Sequence, residues 1–230
     1  MGGAGQSAAG LRLLYGGTFD PIHNGHLAIA RHARDELQVP VWLMPAADPP
    51  HRPAPGADAA QRLQMLQLAL AGEAALRLDT RELQRAAQQP GVPSWTVDTL
   101  RQLRAEIGNE TPLALLMGAD SLLGLPTWHQ WECLLELAHI VVAERPGSAL
   151  DGQLPPALAT RLHTAWADAP ARLLEHPAGK VWRLRQPLHA ESATAVRNAI
   201  AGTGPWRQLL PAAVADYLAA HGLYGCHRKP

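Results

Sequence analysis

Short apolar runs alternating with stretches of helical period restrict this chain to a layered α/β fold. The runs are residues 11–15, 41–44, 76–79, 113–117, 139–143 and 181–184, and the helical stretches are 25–37, 59–71, 94–106, 128–135, 156–167, 193–201 and 212–221. A strand buried on both faces reads as a continuous apolar run, and its parallel neighbour is reached through a crossover long enough for a helix. The alternation therefore predicts a Rossmann-like, doubly wound, mainly parallel sheet with helices on both faces. A small helical part at 190–225 follows the last strand. Residues 45–55, with five prolines, and 86–93 read as loops, and Ser94 as the N-cap of the next helix. Residues 147–156 and 170–179 read as connections around an Arg-rich helical piece.

Size and composition set the bounds. The 230 residues fit one good-sized domain at 11–225, with a Gly/Ala/Ser-rich tail at 1–10 and a short tail at 226–230. Twenty basic and twenty acidic residues give zero formal charge, so no global field draws nucleic acid or an anionic membrane. Anion binding must come from local placement. Lysine occurs only at Lys180 and Lys229, which argues against Schiff-base chemistry. Two isolated cysteines, Cys133 and Cys226, have no metal-ligand spacing, and no apolar run approaches the ~18–20 residues of a membrane span. With no secretory leader in view, a cytoplasmic enzyme is the expectation.

The first run leads into Gly16-Gly17-Thr18-Phe19-Asp20-Pro21-Ile22-His23-Asn24-Gly25-His26. A strand, a glycine turn and a helix entrance make a site for charged oxygens, through open N–H groups and the positive end of the helix dipole. His23 and His26, three apart, are expected on one helical face, and Gly25 lets a nucleotide approach the backbone. Near the C-terminus, Ser192, Thr194 and Arg197 fall on one turn and can form a phosphate clamp, although Ser-x-Thr before an alanine-rich helix is also an ordinary cap. Pro49-Pro50-His51-Arg52 offers two anion contacts from a stiff loop, or is merely a solvated one. Gly118 and Asp120, after the fourth run, can meet ribose hydroxyls or cap a helix.

Together these segments resemble the bacterial nicotinate-nucleotide adenylyltransferases, of the nucleotidyltransferase superfamily that carries His-x-Gly-His. The resemblance spans residues 11–224. Beyond the segments above it includes Arg62-Leu63-x-Met65-Leu66, Ser94-Trp95-Thr96 with Asp98-Thr99-Leu100, Gly118-Ala119-Asp120-Ser121-Leu122 with Trp128, and Arg145-Pro146-Gly147. The endings Leu210-Pro211-x-x-Val214-x-x-Tyr217 and His221-Gly222-Leu223-Tyr224 complete it. Phosphopantetheine adenylyltransferases usually carry Thr in place of His23. The Arg-Thr-x-Gly-Ile-Ser-Thr signature of cytidylyltransferases is missing, and class I aminoacyl-tRNA synthetases are longer.

The resemblance implies attack of the 5′-phosphate of nicotinate mononucleotide on the α-phosphorus of ATP, releasing pyrophosphate and leaving deamido-NAD. The nucleophile is already an anion, so catalysis is positioning and charge stabilisation, with no covalent enzyme intermediate. Mg²⁺ is expected with ATP, held mainly by phosphates and water rather than by protein ligands. His23, His26 and Arg197 are assigned to the reacting phosphates, with Gly17, Thr18, Phe19, Gly25, His51, Arg52, Ser192 and Thr194 around them. Gly118 and Asp120 are assigned to ribose. Ser94, Trp95, Thr96, Trp128 and His129 are assigned to the pyridine ring, with plain core packing the competing role for Trp128. Three departures stand out: Trp95 where Tyr is more usual, Glu191 beside the clamp, and Ala193 in place of a second Ser. A non-catalytic nucleotide-binding protein of the same fold is the alternative. The sequence leaves monomer and homo-oligomer open.

Overall fold

The computed structural model describes residues 10–47, 56–144, 150, 152, 154–187, 191–202 and 204–226. Six parallel strands form one sheet in the order β3-β2-β1-β4-β5-β6. They are β1 (Arg12–Gly17), β2 (Val41–Pro45), β3 (Leu76–Leu78), β4 (Leu113–Gly118), β5 (His139–Ala143) and β6 (Val181–Arg183). All six expected strands are present, each within two residues of its expected ends.

Strand periodicity divides the core. Leu13, Tyr15, Val41, Leu43, Ala114, Leu116 and Val141 face one side of the sheet. Leu14, Leu113, Leu115, Met117, Ile140 and Val142 face the other. The first side is covered by α1 (Asn24–Leu37) and α2 (Ala59–Leu70), through Leu27, Ile29, Met65 and Leu66. The second is covered by α4 (Thr96–Ile107) and α5 (Ala119–Leu123), through Val97, Leu100, Leu103 and Leu122, and by α6 (Leu134–Leu137) and α7 (Pro156–Leu162). Between β3 and α4 in the chain lies α3 (Arg81–Gln88). The chain closes with α8 (Ala193–Ala201) and α9 (Ala212–His221), whose Val196, Val214 and Leu218 join the first core. Chain order reverses between β1 and β4, so the helices that follow them diverge to opposite faces. That divergence opens a crevice at the carboxyl ends of the two strands.

Four expected elements differ, each for a local reason. α3 occupies 81–88, part of which reads as loop in sequence, because its one buried residue is the carboxylate Glu82 rather than an apolar group. α4 begins at Thr96 with Trp95 as N-cap, because the Ser94 hydroxyl is engaged by Arg85 and caps nothing. The expected helix 128–135 is broken: Trp128 is extended (φ −82°, ψ 147°) and Gln130 is left-handed (φ 50°). Tight turns at Leu125–Thr127 and Trp131–Cys133 flank them, and α6 starts only at Leu134. The expected helix 156–167 ends at Leu162, since residues 165–167 pair instead with the edge of β6 (Val181 N–H to Ala165 O and Ala167 N–H to Val181 O, both 2.8 Å). A further short helical turn, Pro170–Leu174, lies in what reads as a connection.

Candidate active site

The glycine turn that follows β1 is organised by its own residues. At Gly17 a β-carbon would stand 2.9 Å from the Phe19 ring, so only glycine lets that ring fold beneath the turn. Phe19 adopts a left-handed conformation (φ 50°), and its buried ring meets Tyr15 and His26 edge-on, with centroids 5.6 and 5.0 Å away. His23 is the N-cap of α1, not a member of its first turn, and His26 is the third helical residue. Each imidazole Nδ1 accepts the other residue's backbone N–H at 3.3 Å, a capping box made of two histidines. The rings stack at 3.7 Å, so capping rather than a shared helical face brings them together. An imidazole whose Nδ1 accepts carries its proton on Nε2. Both rings are therefore fixed as Nε2–H donors. His23 is fully buried and His26 nearly so. Gly25 has a packing reason as well, because a β-carbon there would meet His23 Nδ1 at 3.1 Å and Glu191 Cβ at 3.2 Å. Glu191 thus packs over the start of α1.

Asp20, which no candidate set includes, ties three segments to this turn. Its carboxylate accepts the N–H groups of Gly56 (2.8 Å) and Ala57 (3.0 Å) and the Tyr224 hydroxyl (2.6 Å). Burial, and then this bond to Asp20, push the Tyr224 phenol well above its ordinary range. Arg197 donates to the Asp20 carbonyl (2.6 Å) and to Thr194 Oγ1 (3.2 Å), with the Asp20 carboxylate 3.6 Å away. Ser192 does cap α8, accepting the Ala195 N–H at 3.0 Å, and its hydroxyl hydrogen can still donate. Beneath the turn the fully buried Arg62 donates to the carbonyls of Thr18 (3.0 Å) and Ala46 (2.7 Å), joining the ends of β1 and β2.

The opposite side, around residues 94–96 and Trp128, is built differently. The rings of Trp95 and His129 stand 4.8 Å apart and are tilted by 30°, and Trp128 lines the crevice. Arg85 donates to Ser94 Oγ from both Nη2 (2.5 Å) and Nε (3.2 Å), and to Thr99 Oγ1 (2.5 Å). Thr99 donates onward to Glu82 (2.8 Å), which also accepts the Ala47 N–H. Burial pushes the Glu82 carboxyl up, against those bonds and the charge of Arg85 at 4.0 Å.

One crevice joins the two sides. Its walls include Gly17 and Thr18 from the turn, Ser94, Thr96 and Trp128 from the ring side, and Glu82 and Ser121 between them. Gly118 ends β4 beside Ser121, and a β-carbon there would meet nothing within 4 Å, whereas Asp120 is exposed on α5. His51 and Arg52 lie outside the described residues, as do Arg145, Pro146 and Gly147. Among the described residues no group of three or more His, Cys, Asp or Glu side chains could hold a metal ion. Nor is any described helix long and apolar enough to cross a membrane.

Comparison with known proteins places this geometry. A family model described as cytidylyltransferase-like matches residues 14–199. A protein of Stenotrophomonas maltophilia (strain K279a), named "Probable nicotinate-nucleotide adenylyltransferase", is 63% identical over 214 residues, covering 93% of this chain and 96% of its own. The chain belongs to the nicotinate-nucleotide adenylyltransferase family. A relative of the same name from Xylella fastidiosa (strain M12) is 50% identical, over 94% of this chain and 97% of its own. Among solved structures, the nicotinic acid mononucleotide adenylyltransferase of Plasmodium falciparum complexed with NaAD superposes with a TM-score of 0.70 at 14% identity, covering 96% of this chain and all of that one. The same protein complexed with APC gives 0.68. At such identity these two adenylyltransferase structures speak for the shared fold.

Proposed function

We propose that the chain transfers the adenylyl group of ATP to nicotinate mononucleotide, giving deamido-NAD and pyrophosphate. The observation that carries this reading is the identity with its adenylyltransferase relatives across nearly the whole chain. The crevice supports it, because a phosphate-binding turn and a ring-binding wall open into one space.

An oxygen of the mononucleotide phosphate attacks the α-phosphorus of ATP; a P–O bond forms as the bond to the β-phosphate oxygen breaks, and pyrophosphate leaves with the electron pair. The chain supplies directed donors for that charge. His23 and His26 offer Nε2–H groups, and the amides of Gly17, Thr18 and Phe19 line the turn. Arg197, with Ser192 and Thr194, serves the leaving pyrophosphate, joined by His51 and Arg52 from the proline loop. Gly118 leaves space for ribose to approach the backbone, with Asp120 alongside. Mg²⁺ bound to ATP would neutralise charge on the triphosphate, held by phosphate oxygens and water more than by side chains of this chain. On the ring side Trp128 stacks on the pyridine, with Trp95 and His129 at the rim. The ring carboxylate takes Thr96, whose N–H is in the open first turn of α4, and Ser94.

Pyrophosphate release by the purified protein, with ATP, Mg²⁺ and either nicotinate or nicotinamide mononucleotide, tests the proposal. A higher kcat/KM on the acid is expected. Equal or better turnover of the amide would overturn the acid preference. ATP binding without turnover on either would favour a non-catalytic nucleotide-binding protein.

A further inference from the structure

Ser94 stands in the wall of the crevice with both hydroxyl lone pairs engaged. Arg85 Nη2 and Nε donate to its oxygen at 2.5 and 3.2 Å, so its one hydrogen is all that it can offer to a ligand. Arg85 is held in place from the other side. Its Nη2 also donates to Thr99 Oγ1, Thr99 donates to Glu82, and Glu82 lies 4.0 Å from the guanidinium. Glu82 further accepts the N–H of Ala47, at the end of β2, so the relay spans the crevice from one wall to the other. From Arg85 to Glu82 the direction of each bond follows from the fixed donors of the guanidinium, and the Ala47 amide can only donate.

From this geometry we infer that Arg85 is the positioning residue that sets the acid preference of the ring pocket, acting through Ser94, with Glu82 and Thr99 as its anchor. The inference rests on the proposed adenylyl transfer to nicotinate mononucleotide. Ser94 becomes an obligatory donor, with a cation directly behind it. A carboxylate accepts from such a hydroxyl through either oxygen and in either ring orientation. A carboxamide does so only through its carbonyl, since its NH₂ would meet a donor with a donor. Arg85 does not reach the substrate itself. Its charge strengthens the Ser94 bond to an anion more than the bond to a neutral amide.

Steady-state kinetics on Arg85→Gln, Arg85→Lys and Ser94→Ala test this, with both mononucleotides as substrates. Arg85→Gln is expected to raise KM for nicotinate mononucleotide about tenfold, the loss of one charge-assisted hydrogen bond, and to lower the acid-to-amide ratio of kcat/KM comparably. KM for ATP should move less than about twofold, because the phosphate turn is untouched. Arg85→Lys should recover part of the ratio, as a point charge without the two-pronged contact. Ser94→Ala should lower the ratio as far as Arg85→Gln does, and the double variant should fall no further. An unchanged ratio in Ser94→Ala overturns the inference even if the Arg85 variants fail to fold. So does Arg85→Gln if it reduces both mononucleotides and ATP alike, which is what a purely structural role predicts. Should the unmodified protein turn over neither mononucleotide, or prefer the amide, the proposed function itself fails. An acid-selective protein whose selectivity survives all three substitutions refutes the Arg85 role alone.

Discussion

The two walls of the crevice are held by different means. In the wall proposed for phosphate the turn itself is local: within residues 16–26, glycine clearance, a left-handed Phe19 and a reciprocal histidine cap fix one another. The ring wall is a side-chain relay, Arg85 to Ser94 and Thr99 and on to Glu82, that draws α3, α4 and the end of β2 together. A local turn can be rigid while the rest of the fold breathes. A relay is only as rigid as the helices that carry it. The walls should therefore fail differently: the phosphate wall in turnover, the ring wall in selectivity.

The largest expected effect separates chemistry from capping at the histidines. His23→Asn keeps an N-cap acceptor but loses the Nε2–H, so kcat should fall by about 10²–10³-fold, as for removal of a charge-stabilising donor, with little change in stability. His26→Ala should lose comparable activity and, in addition, about 0.5–2 kcal/mol of stability, because its Nδ1 caps the helix. Urea unfolding beside pyrophosphate release distinguishes the two. An active His23→Asn would break the assignment of the turn.

Next is the support beneath the turn. Arg62→Met should cost about 3 kcal/mol in the urea-derived stability, since two buried carbonyls lose charge-assisted donors. KM for ATP should rise with the acid-to-amide ratio preserved. A fallen ratio would mean that the walls are not separable.

Tyr224→Phe removes the hydroxyl bond to Asp20 and should lower stability by about 1–2 kcal/mol, a bond to a buried carboxylate. Asp20 also holds the segment carrying Arg197, so kcat should fall more than KM for nicotinate mononucleotide rises.

The smallest effect serves as a control far from both walls. His139 opens β5, accepts the Lys180 N–H on Nδ1 and faces the His176 carbonyl with Nε2; burial holds its pKa below the ordinary value, with Arg104 and His176 adding in the same direction. A histidine depressed on folding leaves the unfolded chain binding more protons below its ordinary pKa of about 6.5. Its share of stability is complete above that pH and is lost as pH falls toward the folded value. The urea midpoint should drop between pH 7 and pH 5, and His139→Gln should flatten that slope. A slope unchanged by the substitution would assign it to other groups.

Much of the site was legible because its groups lie close in sequence. Glycines, a histidine pair and a capping serine announce themselves within a few residues, and Gly17, Thr18, Ser94, Thr96 and Trp128 line one crevice. Glu82 and Arg85 were not legible. On a short polar helix they look like a solvated face, and no spacing rule says that their partners lie 9–17 residues away, just before α4 and on its first turn. Asp20 sits within the opening motif, yet its partners at Gly56, Tyr224 and Arg197 are 36–204 residues distant.

Sequence alone determined the six parallel strands, the glycine turn at the end of the first, and the family, because apolar period, glycine sterics and helix capping act over a few residues. Tertiary structure alone decided which nitrogen of each histidine is the donor, which serine caps and which is gripped, and which carboxylates are buried. Those depend on groups brought together only when chain order reverses between β1 and β4 and the two faces of the sheet close around one crevice.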